Sequence, residues 1–465
     1  MTTLLSCPHR PSVASDALSV LLVVVLLVAG WVPTAASQTS PAVADTLSLS
    51  LEEALQRVRT ESFSVRTAEA EQRAARARKQ QSMAVFLPRV TAAEEAATTT
   101  DPLNAFGFKL RQEAVTQADF APGTLNDPER TDNFTTRIQV EQPLLNLDGF
   151  FERRAASRAV RAARERTERT REVMAFQVKK AYFGLILAGE QLDVIDAALA
   201  AARKNARQAE NLFQEGLITR ADVLAARVRV LDLESRRTEA ASRRSTAADQ
   251  LRFLLGIDIP VPIHATDALT QEAPPQDTLT AAAANRRRSD MQALRHRADA
   301  ARQQVRARWT SFVPRLTARG TYAWNDDTAF GTDAAGYTVG ASLTWSLFDG
   351  FRQIGRAQEA EANLHRAEIA LERQALKNEV EITEAQRDLA ATRQRIRQTE
   401  AAVEQAEESL RIRSDRYAEG LERTSDLLQA EATLAERRLA RLQALYRHNI
   451  TLYRLELLTE QSLTR

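Results

Sequence analysis

Two periodicities divide this chain. From Tyr337 to Phe348 the apolar set Tyr337, Val339, Ala341, Leu343, Trp345 and Leu347 alternates with Thr338, Gly340, Ser342, Thr344 and Ser346. This is period two, the mark of a strand with one dry and one wet face. Leu316, Ala318, Gly320, Tyr322 and Trp324 alternate likewise with Arg315, Thr317, Arg319 and Thr321, and Phe134, Thr136, Ile138 and Val140 with Thr135, Arg137, Gln139 and Glu141. A fourth strand, after Pro88, is poorer: Val90 and Ala92 would share their face with Glu94, so either its end lies outside any hydrocarbon or the register slips. Elsewhere the period is helical. Phe176, Phe183, Leu187, Val194, Ala198 and Ala201 recur at spacings of seven, four and three, as in helices packed side by side. Long helices are expected over about 150–213 and 351–417, each near 100 Å at about 1.5 Å per residue, with return helices over about 222–255 and 426–458. Helical stretches over about 50–86 and 285–312 stop at Pro88 and Pro314, because proline cannot continue the ladder.

These elements recur in order. Phe86-Leu-Pro88-Arg89 is answered by Phe312-Val-Pro314-Arg315, Asp148-Gly-Phe150 by Asp349-Gly-Phe351, and Phe213-Gln-Glu-Gly216-Leu217 by Tyr417-Ala-Glu-Gly420-Leu421. After each glycine a Leu, an Asp (Asp222, Asp426) and a Leu fall at matching places. The chain therefore reads as an internal two-fold repeat: residues 38–256 and 285–465, joined by a proline-bearing linker over 257–284. Gly216 and Gly420 suit the left-handed residue that ends a helix, Thr219 with Asp222 reads as a capping box, and the Asp of each copy is expected to serve its return helix. Between paired strands lie a long polar connection, about 98–133, and a short one, about 325–336. Both are expected outside the cell. Within the long one, residues 104–113 read as ordered structure rather than linker.

Composition narrows the function. Gly and Pro are few, 15 and 14 in 465 residues, as in long helices, and the net charge of +2 from 63 basic and 61 acidic groups offers no bulk attraction for nucleic acid. Arg10, the apolar run from Leu18 to Ala29 and Ala35-Ala36-Ser37 read as a signal peptide over 1–37, so the chain is exported. That segment holds Cys7, the only cysteine. His9, His264, His296, His365 and His448 are scattered, so no catalytic residue, metal site or cofactor is expected. No later stretch is apolar and long enough for a membrane helix, and a membrane would have to be crossed by strands. Strands near ten residues long, with Tyr322, Trp324, Tyr337 and Trp345 on the dry face, suit an outer-membrane barrel. Four strands cannot close one, because about eight is the minimum. A dimer would give eight strands and a filled interior; a trimer gives twelve and room for a lumen. Arg137, Gln139, Glu141, Arg315, Thr317 and Arg319 suit a wet interior.

The ordered set of motifs, given twice over about 45–460, resembles the TolC-like outer-membrane efflux proteins, the outer membrane factors. The resemblance implies an α+β membrane protein. Its fold would be a homotrimeric twelve-stranded transmembrane β-barrel, four strands per chain, continued by a periplasmic α-helical barrel. It implies a porin-like channel, the exit duct of a tripartite efflux or type I secretion system, and no enzyme. The implied partners are a periplasmic adaptor (membrane fusion protein) and an inner-membrane pump, with outer-membrane lipid around the barrel and no nucleic acid. By the same resemblance Gly216, Leu217, Gly420 and Leu421 form adaptor-docking tips, Asp426 faces the pore at its periplasmic mouth, Asp222 lies on the neighbouring coil, and Tyr417 is a pore-facing link. The family's second gate aspartate is replaced by Gln429, and its basic residue two after the glycine by Glu422, with Arg423 beside it. The competing reading is a periplasmic coiled-coil adaptor without a pore.

Overall fold

The structure, a computed structural model, describes residues 47–258, 261–273 and 280–461. The expected signal peptide, with Cys7 and His9, lies outside the described residues. In chain order the elements are β1 (Leu47–Leu49), α1 (Leu51–Glu61), α2 (Phe63–Gln81), β2 (Arg89–Thr99), α3 (Pro102–Arg111), α4 (Pro122–Asn126), β3 (Thr131–Leu145), α5 (Leu147–Gln214) and α6 (Arg220–Leu254). The second half runs β4 (Ile263–Ala265), α7 (Ala281–Arg287), α8 (Ser289–Thr310), β5 (Arg315–Asp326), β6 (Ala334–Thr344), α9 (Arg352–Ala418) and α10 (Thr424–Thr459).

The 68-residue α5 and 67-residue α9 are the spines. One stretch of α5 packs against α2 and α8, and another against α6; α9 likewise packs against α8 and α10. Small buried residues, among them Ala155, Ala162, Ala202, Ala209, Ala360, Ala385 and Ala406, let these backbones approach closely. The two stretches expected as single helices are each broken once. Ser62 (φ −58°, ψ 132°) separates α1 from α2, and Arg288 (φ −54°, ψ 130°) separates α7 from α8. The repeat thus extends to a kink that periodicity did not signal.

The described part of 257–284, a range expected as a linker, instead carries structure. β4 pairs in parallel with β1, each the strand that precedes its half's first helix. Asp267 Oδ2 accepts from Leu51 N (2.9 Å) and from Tyr182 Oη (2.5 Å), and the same hydroxyl lies 2.9 Å from Leu49 O. Thr270 O and Glu272 N are held by Asn449, and Glu272 O by His448 Nε2 (3.2 Å). The largest core cluster lies here, around Val178, Tyr182, Phe183, Leu251 and Tyr453. Burial pushes Tyr182 up to about 12 and holds His448 below its usual value.

β2, β3, β5 and β6 form one antiparallel sheet in that order, with β2 and β6 at the edges. The register pairs Arg137 with Ala93 and Ala323, and Glu141 with Arg89 and Arg319, so the polar residues share one face as expected. The opposite face is largely open: Tyr337 is 78% exposed and Val339 76%. Three details differ. β6 ends at Thr344, where Trp345 leaves the ladder and donates to Phe312 O (2.9 Å). Arg315 is not free in an interior, because it pairs with Asp148 at the start of α5. The two Asp-Gly pairs also differ: Gly149 sits inside α5, where a Cβ would strike Val85, while Gly350 precedes α9 with φ +69°.

Two outcomes follow for this belt, where the connection between the repeats is bound to α5 and α10. Tyr182→Phe removes the hydroxyl that bridges the Leu49 carbonyl and Asp267, which keep Thr266 N and Leu51 N as donors, at a cost of about 1 kcal/mol; the apparent melting temperature in detergent falls, and an unaltered value removes this role. Because the folded state resists protonating His448 while the unfolded chain charges near pH 6.5, stability from this site is present above that pH and lost as pH falls below it. Melting curves at pH 7.5 and 5.5 should therefore differ less in His448→Gln than in the parent.

Candidate functional site: the paired helical tips

The two hairpin tips are built alike as far as their glycines. α5 ends through Glu215 and Gly216 (φ +73°), with Leu217 N donating to Leu212 O (2.9 Å) and Gly216 N to Phe213 O (3.0 Å). α9 ends through Glu419 and Gly420 (φ +72°), with Leu421 N on Arg416 O (2.9 Å) and Gly420 N on Tyr417 O (3.1 Å). Both are Schellman endings, which need the positive φ that glycine supplies without strain. Leu217 and Leu421 project from them, 66% and 64% exposed.

Beyond the glycines the copies part. Thr219 caps α6 in a full capping box: its hydroxyl accepts from Asp222 N (3.3 Å), and Asp222 Oδ2 accepts from Thr219 N (3.1 Å). The matching N-cap of α10 is Arg423, with no side-chain cap. The expectation that an Asp serves the cap in both copies therefore fails at the second, because the residue aligned with Thr219 has no hydroxyl to offer. Among the described residues the one side-chain bond to Asp426 is a long one from Ser425 Oγ (3.4 Å). Its carboxylate is half-buried and uncommitted, while Gln429, one turn on, is exposed.

Tyr417 is also placed differently. It is buried, with its hydroxyl 3.4 Å from Thr424 Oγ1, so its ring packs the tip of its own hairpin and does not face solvent. Phe213 fills the equivalent role beside Val223 and Ala226. Glu422 forms ion pairs with Arg413 (2.7 Å) and Arg416 (3.0 Å) from the last turns of α9. Neither arginine was singled out from sequence, although both stand within ten residues of Glu422. A cleft of about 700 Å³ separates the tips, lined in part by Glu215, Asp222, Glu419, Glu422 and Arg423. With Asp222 in its cap and Glu422 paired, Glu215 and Glu419 remain as acids of this cleft; both belong to the repeated motif. Farther along, Asn205 of α5 donates to Glu431 of α10, whose carboxyl burial pushes up. No three His, Cys, Asp or Glu among the described residues are arranged to hold a metal.

The family described as outer membrane efflux protein matches residues 54–257 and 281–460, nearly all of both repeats. The chain belongs to that family. The alkaline protease secretion protein AprF of Pseudomonas aeruginosa is 22% identical over 322 residues, 67% of this chain and 66% of that protein, just under two thirds of its length. The fold is that of solved outer membrane channels. The Campylobacter jejuni CmeC channel superposes with a TM-score of 0.76 at 16% identity, over 89% of this chain and 86% of that one. The Vibrio cholerae outer membrane protein VceC gives 0.72 at 22%, over 88% and 96%. For this outer membrane efflux protein the fold is therefore α+β, and the outer membrane is its place.

The tips make a local test. Thr219→Ala removes one box donor–acceptor pair, worth about 1 kcal/mol, so amides at the start of α6 should exchange about five-fold faster. Asp426→Ala should leave exchange at the start of α10 unaltered. Equal effects at both tips would restore a capping role to Asp426.

Proposed function

We propose that this outer membrane efflux protein is a passive exit duct across the outer membrane, acting as a homotrimer within a tripartite efflux or type I secretion system. The observation that carries the reading is the open sheet. Among the described residues β2 and β6 leave two unpaired edges, and Val90, Tyr322, Tyr337, Val339 and Leu343 of the apolar face are exposed, the short connection touching that face at Glu94. Neither survives in lipid unless the edges pair with other copies and the dry face meets hydrocarbon. Three copies give twelve strands, with Arg137, Glu141 and Arg319 toward the lumen. Among the described residues no helix is long and apolar enough to cross a membrane. Phe86, Trp345, Phe348 and Phe351 then form the periplasmic aromatic girdle, exposed as a girdle requires. The long helices continue the duct into the periplasm.

At its far end the exposed Leu217 and Leu421, seated on glycine turns, suit docking of a periplasmic adaptor that links the duct to an inner-membrane pump. Asp426, free of the cap, is the carboxylate assigned to the mouth, where three copies form a ring that draws cations. Asp222 supports the neighbouring coil. Glu422, held by Arg413 and Arg416, ties the tip of its own hairpin, so closure depends less on an interchain ion pair at this position.

The detergent-solubilised chain should migrate as a trimer and open channels in a planar bilayer; a soluble monomer would sink the duct and leave the adaptor reading. Asp426→Ala should raise conductance or weaken block by multivalent cations. Unaltered conductance together with unaltered block withdraws Asp426 from the mouth.

A further inference from the structure

The long connection between β2 and β3 is an ordered lobe. α3 starts at Asp101, whose carboxylate accepts from Asn104 N (2.9 Å). Lys109 Nζ reaches Asp119 Oδ1 (2.7 Å), Thr116 N and Oγ1 both donate to Asp119 Oδ2, and Phe106 meets Phe120 edge-on with centroids 5.6 Å apart. Led by the Lys109 bond, these contacts hold the Asp119 carboxyl down to about 2, so the clasp stays charged across ordinary pH.

Which face of the sheet the lobe covers follows from the register. Thr135 pairs with Asn325, two residues along the same face from Arg137 and Ala323. Thr131, Asn133, Thr135 and Asn325 are buried, although Arg319 farther down that polar face is open. The lobe reaches this face through Gln112, whose Nε2 lies within hydrogen-bonding distance of Asn133 Oδ1 (2.9 Å), Asp132 O (2.8 Å) and Asp326 O (3.2 Å). Asn133 passes the network to Thr135 (2.8 Å), and Thr135 to Asn325 (2.9 Å). The short connection folds the other way: Phe330 N donates to Glu94 Oε1 on the apolar face (3.1 Å). The two outer connections thus fold to opposite faces, and the long one takes the polar side.

On α3 the buried Ala105 and the sheet-bound Gln112 are seven residues apart and share one side. Leu103 and Leu110, also seven apart, lie on the opposite side, and with Phe120 they are exposed by 82%, 59% and 60%. An apolar stripe on the far side of a lobe seated on the polar face points away from the barrel wall.

We propose that this lobe is an exit filter: α3 sits on the lumen face at the outer end of the barrel, and its exposed Leu103 and Leu110, with the exposed Phe120 of the same lobe, narrow the mouth and limit what leaves. The proposal rests on the duct reading, since it takes the polar face as the lumen. With three copies around the axis, three such stripes face one another, and an apolar constriction passes hydrated ions poorly. It favours cargo with apolar surface over small ions.

The test is single-channel recording of the full chain in a Cys7→Ser background. Leu103→Cys, modified with a bulky maleimide-polyethylene glycol added from the side of the barrel mouth, should lose half or more of its conductance. A variant with residues 103–126 replaced by a short Gly/Ser bridge should conduct at least two-fold more. If that variant does not trimerise, the labelled Leu103→Cys channel decides alone. Channels that conduct equally with and without label, modification being verified by mass, overturn the filter while leaving the duct intact. A parent chain that opens no channel overturns both.

Discussion

Every part of this protein answers to one constraint: a four-stranded sheet cannot satisfy its own edges. β2 and β6 each present a row of backbone donors and acceptors with no strand partner among the described residues. In water such edges invite aggregation; in hydrocarbon each unmet group costs several kcal/mol. The proposed closure through other copies would resolve this, and a twelve-stranded ring would also be wide enough to keep its polar face wet. The helices inherit the consequence. α5 follows β3 after a single residue, Asn146, whose side chain accepts from Gly149 N, so the direction of the strand sets the direction of the spine.

The belt where the two repeats meet is the second fixed point. There the parallel β1–β4 pair, Tyr182, Asp267 and His448 bind the connection between repeats to α5 and α10. Beyond it, α5–α6 and α9–α10 run as two hairpins whose tip cores are small, Ala209, Val223 and Ala226 in one case. Few buried apolar contacts near the tips and a large core at the belt give a structure whose ends yield before its middle.

Much of the fold was legible in the sequence. Period two gave the strands and their faces, and the Glu94 anomaly has a local cause: Thr136 and the Phe330 amide bond to it where the short connection folds over. The glycine turns were legible because a Schellman ending is decided within six residues. The missing second cap was legible too, since Arg423 stands where Thr219 does, but the strength of the repeat masked the difference. Burial of Tyr417, the Arg413–Glu422–Arg416 cluster and the kinks at Ser62 and Arg288 depend on how the chain folds back on itself, which no period encodes.

By itself, then, the sequence determined the local geometry: which segments are strands, which face of each is dry, where helices stop, and that the unit occurs twice. These are set by side-chain alternation and backbone propensity over a few residues. The tertiary structure alone decided that the expected linker supplies a strand to the belt and that the long outer connection lies on the polar face. Each of these depends on partners up to some 200 residues away, as with Asp267 and Leu51 or Gln112 and Asp326. Only packing brings such partners together, because the free energy of those contacts exists only once the chain has closed the loops between them.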